Sequence, residues 1–136
     1  MEYIVKARSA KAKKLIELTL PSMLHQLGIA NARKALVITL EKDCDDSGLT
    51  VPMPAVDGFV VVIKSNQTLD QIGLALAHEL VHVRQMSKGV LRSLGRGAHM
   101  WAGKKYSKKT PYLSRPWELD AFAKQEIVFR RALDIV

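Results

Sequence analysis

The sequence predicts an α+β domain in which a small twisted sheet supports three helical segments. Two short β-branched runs, ALVITLEKD at 35–43 and FVVVIK at 59–64, read as strands. Residues 10–28, 68–88 and 115–135 carry helical start and stop signals around apolar spacing. The chain has 136 residues, 48% hydrophobic and 25% charged, which suits one folded core rather than a disordered polymer. A single domain spanning 1–136 is expected.

Along the chain, Ser9 is placed to N-cap the first helix and Gly28 to stop it, with Pro21 expected to kink or break it. Asp57-Gly58 is a hairpin-type turn signal before the second strand, and Pro52 and Pro54 demote TVPMPAV to an edge strand or an irregular return. The loop DCDDSG (43–48) imitates the start of a calcium loop, but Pro54 stands where a bidentate Glu is needed and the flanks read as strands, so an acidic turn is expected. Thr68 and Gln71 form a capping-box pattern, Gly89 ends that helix, and its apolar residues surround most of its circumference, as in a buried central helix. Pro116 opens the last helix in its first turn.

The single cysteine, Cys44, excludes an internal disulfide, and no apolar run reaches the length of a membrane span. A soluble, cytoplasmic protein without membrane contact is therefore expected. The net charge of +8 is unevenly placed. Between Leu80 and Trp117 lie nine basic residues, from Arg84 to Arg115, and no Asp or Glu, while the remainder carries −1. Such a segment marks a possible acidic or nucleic-acid partner, against the plainer reading of a solvated surface.

The central helix contains LAHELVHVRQ (76–85). His78 and His82 are four residues apart and so share a face, where both imidazoles can meet one zinc ion at about 2 Å. Glu79 lies about 100° further round, flanking that point, where a carboxylate can take a proton from activated water. Two histidines and a glutamate in so apolar a helix would be costly to bury without a partner, and a metal supplies one. A third ligand is needed, and the residues offer two: Glu118 in RPWELDAF and His99 in GAHMW.

HELVHVRQ, then WAGKKY (101–106), then PYLSRPWELDAFAKQ (111–125) resemble the small metallopeptidases of tailed phages and prophages, over roughly residues 59–130. That resemblance implies a zincin-like fold with an active-site helix and a C-terminal ligand-bearing helix. It implies a gluzincin-like zinc site of His78, His82 and Glu118, with Glu79 as general base, acting on a protein or peptide substrate inside a host cell. Glu118 and Ala121 match the E-x-x-A spacing of minimal gluzincins. Asp120 is the candidate for an acidic side chain bonded to a ligand histidine.

GRGAHMW also loosely resembles the segment that gives SprT-like proteases a third histidine, which would make His99 the ligand in a DNA-associated enzyme. A third possibility is a non-catalytic domain with structural zinc and a polyanion-binding basic connector. Tyr106, Tyr112 and Arg115 are candidates to donate to an oxyanion, or else packing residues. Trp101 and Trp117 read as core or cleft-wall aromatics, and Gln85 as a supporting or structural amide. FVVVIK is a candidate edge for an extended peptide, or a covered strand.

Overall fold

Residues 35–41 and 58–64 form the centre of a four-stranded sheet in the computed structural model, which describes residues 1–136. The elements follow in the order β1 (Glu2–Lys6), α1 (Ala10–Gln26), β2 (Ala35–Glu41), β3 (Gly48–Met53), β4 (Gly58–Lys64) and α2 (Leu69–Ser87). The chain continues through β5 (Leu91–Gly95), β6 (Ala98–Trp101), β7 (Lys104–Tyr106) and α3 (Pro116–Ile135). The α+β class is as expected. No helix is long and apolar enough to cross a membrane.

The first sheet has the order β1-β2-β4-β3, with β1, β2 and β4 parallel and β3 antiparallel on β4. Register puts Leu36 beside Phe59, Ile38 beside Val61 and Leu40 beside Ile63 on one face, where most of these side chains are buried against the helices. The opposite face has no buried side chain, its one buried position being Gly58 at the start of β4, so the helices cover one side only. On β3 the covered face carries Gly48 and Thr50, paired with Ile63 and Val61, while Leu49, Val51 and Met53 point outward.

Three local expectations need correction. β1 was not expected, because its five residues EYIVK bury only Val5 and carry polar ends. α1 is not broken at Pro21: the proline lies on the exposed side, where the Glu17 carbonyl left without an N–H can bond water. FVVVIK is not an edge, since β4 lies between β2 and β3, and the edges of the sheet are β1 and β3.

α2 packs on the covered face of the sheet and against α1 and α3, which buries twelve of its nineteen residues. Its start is fixed by the expected capping box: the Gln71 amide donates to Thr68 Oγ1 at 3.1 Å, and the Thr68 amide to Gln71 Oε1 at 2.9 Å. Gly73 sets its distance from α3. A Cβ there would lie 2.1 Å from the Phe129 ring, so only a bare backbone admits that ring.

The stretch after α2 is not irregular. β5, β6 and β7 form a separate antiparallel sheet with a bulge between Ser93 and Gly95. Its turns use residues of positive φ, Gly95-Arg96-Gly97 and Ala102-Gly103.

Candidate metal centre

On the sides that α2 turns toward α3 and β3 lie His78, Glu79, His82 and Gln85, all less than 9% exposed. Ligand atoms of His78, Glu79 and His82 lie within 4.8 Å of one another, and this group could hold a metal ion. Glu118, in the first turn of α3, reaches the same point: its Oε1 is 2.9 Å from Nε2 of His78 and 2.9 Å from Nε2 of His82. Tetrahedral ligands at about 2.0–2.1 Å from one ion stand roughly 3.3 Å apart. The Glu118 oxygen lies somewhat inside that spacing, at hydrogen-bond distance from both rings, whereas Glu79 is tied to Thr50.

The far nitrogens of both rings are held. Gln85 donates its amide N–H groups to the Trp117 carbonyl at 3.0 Å and to Asp120 Oδ2 at 2.9 Å, so its oxygen must be the atom facing His82 Nδ1 at 2.8 Å. Nδ1 of His82 therefore carries a proton. Its Nε2 then meets the acceptor-only Glu118 carboxylate either as a protonated nitrogen or as a lone pair sharing a cation with it. His78 Nδ1 faces Gln125 Oε1 at 2.7 Å, and the His78 ring packs on Phe122 with centroids 4.6 Å apart. This donor set fits a divalent cation: two oriented imidazoles and a carboxylate converge with their outer atoms already bonded.

Asp120 was expected to bond a ligand histidine directly. It bonds Gln85 and Lys124 instead, and so reaches His82 through the amide. Burial raises its pKa, but the Lys124 and Gln85 bonds outweigh that and hold the carboxyl below its ordinary range.

Glu79 points toward β3. The Thr50 hydroxyl lies 2.8 Å from Glu79 Oε1, as donor to the carboxylate, and a Cβ at Gly48 would sit 2.9 Å from Glu79 Cγ. The strand thus leaves a gap for this side chain and anchors one oxygen. Burial pushes the Glu79 carboxyl above its ordinary range, against the pull of His82, Thr50 and His78. Glu118 is the reverse case. Burial opposes its ionisation, yet its bonds to His78 and His82 hold it well below the usual range. Burial disfavours a charged His82, but Glu118 outweighs it and raises the imidazole above its ordinary value.

These residues open into a cleft of about 810 Å³ lined on one side by β3 and on the other by α3 and the segment before it. His99 lines the cleft, with its ring against Trp117, centroids 4.9 Å apart. Tyr106 packs edge-on to Trp117, which is buried as expected. Tyr112 and Arg115 reach the cleft. Burial and the nearby Glu118 charge push the Tyr112 hydroxyl up to about 12, and Arg115 Nε donates to the Thr110 carbonyl at 3.1 Å. Trp101 is half-buried.

Gly48, Thr50 and Gln125 were not expected here. Gln125 had a readable signal, being seven residues, two helical turns, beyond Glu118. Gly48 and Thr50 had none, because their role depends on how β3 meets α2. No family model matches this chain, and no curated protein or solved structure matches it.

Proposed function

We propose that the chain is a zinc-dependent peptidase of zincin-like, gluzincin type, in which His78, His82 and Glu118 hold the ion and Glu79 is the general base. The observation that carries this reading is the single Glu118 oxygen placed 2.9 Å from Nε2 of both histidines. Zinc is favoured over calcium or magnesium because two of the three donors are imidazoles.

When bound, zinc supplies a Lewis acid that acidifies water and polarises a carbonyl. The chain's own residues do the rest. Glu79, anchored at Oε1 by Thr50, accepts the water proton and returns it to the leaving amine. A carboxyl raised by burial suits both halves of that task. Gln85 and Gln125 keep the Nε2 atoms turned inward. The free edge of β3 runs along the cleft, where an extended peptide would pair with it outside Pro52, which has no N–H to give.

The test is a peptide and protein substrate screen with the zinc-loaded chain, with and without chelator. Hydrolysis that chelator abolishes and zinc restores is expected. Glu79→Gln should retain the metal and lose about 100-fold or more in rate. Hydrolysis unchanged by that substitution would remove Glu79 from its role.

A further inference from the structure

We propose that the outward face of the β5–β7 sheet binds the phosphate backbone of duplex DNA. None of the nine basic side chains between Leu80 and Trp117 takes part in an ion pair; every lysine or arginine pair in the fold lies elsewhere, at Lys34, Lys124 and Arg130. Seven of the nine are exposed. A protein surface normally interleaves charges of both signs, and unpaired cations placed side by side repel.

The register shows how these charges are presented. His99 and Tyr106 are cross-strand partners whose rings pack on Trp117, so their face looks into the molecule. The next rung, Arg92, Met100 and Lys105, points the opposite way, toward solvent. Two inter-strand spacings separate Arg92 from Lys105, about 10 Å. At the β5–β6 turn Arg96 is exposed, and the Lys108 stem lies against it, since a Cβ at Gly97 would be 3.0 Å from Lys108 Cγ. Arg92 and Lys105 thus share the outward rung of a short, twisted ribbon, and Arg96 and Lys108 lie together at its β5–β6 end.

Duplex DNA is the polyanion this face suits. Stacked single strands need aromatic platforms, and Trp101 and Tyr106 belong to the inward face. An anionic membrane surface calls for several aromatic or aliphatic anchors among the cations, and this sheet offers only the half-buried Met100 on the outward rung and one exposed leucine, Leu94, beyond Arg92 on β5. A duplex asks only for cations along its phosphates. This inference does not depend on the peptidase reading.

The experiment measures binding of the full chain to a random-sequence DNA duplex across a salt series, with and without chelator. Wild type should bind equally in both conditions, with affinity falling steeply as salt rises. Arg92→Gln/Lys105→Gln should flatten the slope of log K against log salt by about 2, and Arg96→Gln/Lys108→Gln by about the same. Lys11→Gln/Lys14→Gln on α1 removes equal charge and should leave the slope as in wild type. Thermal unfolding of each variant checks that it is folded. Equal flattening by the α1 pair would reduce the effect to net charge and overturn the proposal. So would absence of duplex binding, or tighter binding to single strands or to vesicles containing phosphatidylserine.

Discussion

Gly73 and Phe129 face each other so closely that a Cβ on the first would sit 2.1 Å from the ring of the second. This contact sets how closely α2 and α3 approach, with Glu118 at one end of α3 and the histidines further along α2. Gly73→Ala gains about 1 kcal/mol of intrinsic helix preference. Forcing apart a packed core costs typically 1–3 kcal/mol and occasionally more. The variant should therefore be less stable than wild type by denaturant unfolding and should bind zinc more weakly, despite lying five residues from the nearest ligand. A gain in stability with unchanged zinc affinity would contradict that reading of the contact.

Gln85 links His82 to both the Trp117 carbonyl and Asp120. Gln85→Ala removes the group that fixes the tautomer and leaves a buried carbonyl without its partner. Zinc affinity, measured by competition with a chromophoric chelator, should fall about 10–100-fold. Gln125→Ala should act similarly through His78.

Thr50 anchors Glu79 from a different element. Thr50→Val keeps the shape of the side chain and loses the hydroxyl. Zinc affinity should be unchanged while kcat drops more than KM changes, and Thr50→Ser should restore the rate. Equal loss in Thr50→Ser and Thr50→Val would show that shape, not the hydroxyl, matters at this position.

The cluster also sets a pH dependence. His82 has a folded value above its ordinary 6.5, so in metal-free protein its contribution is complete below that pH and is lost as pH rises through the folded value. Glu118 lies below its ordinary 4.5, so its contribution is present above 4.5 and is lost as pH falls through the folded value. Glu79, raised by burial, makes a contribution that is complete below its ordinary 4.5 and is lost as pH rises through its folded value. A bound metal takes the place of the His82 proton. The difference in Tm between zinc-loaded and chelated protein should widen from about pH 6 to about pH 8. A constant difference would mean that the histidines do not exchange a proton for the ion.

Much of the centre was legible in the sequence because it is local. His78, Glu79 and His82 are set by helical spacing, the Thr68–Gln71 box by its own four residues, and Glu118 by its place just after Pro116. What escaped depends on contacts between distant segments. Thr50 and Gly48 meet Glu79 only through the register of β3 on β4. β5–β7 lack a β-branched run, and their evidence lay in the turns: Gly95, Gly97 and Gly103 supply the positive φ that closes each hairpin. β1 is an edge strand stabilised by a neighbour rather than by its own composition.

The central claim is tested most directly by crystals of the zinc-loaded chain, with diffraction recorded on both sides of the zinc absorption edge. One anomalous peak is predicted, about 2.0–2.2 Å from His78 Nε2, His82 Nε2 and a Glu118 carboxylate oxygen. A peak coordinated by His99 in place of Glu118, or no peak between the two imidazoles, would contradict it.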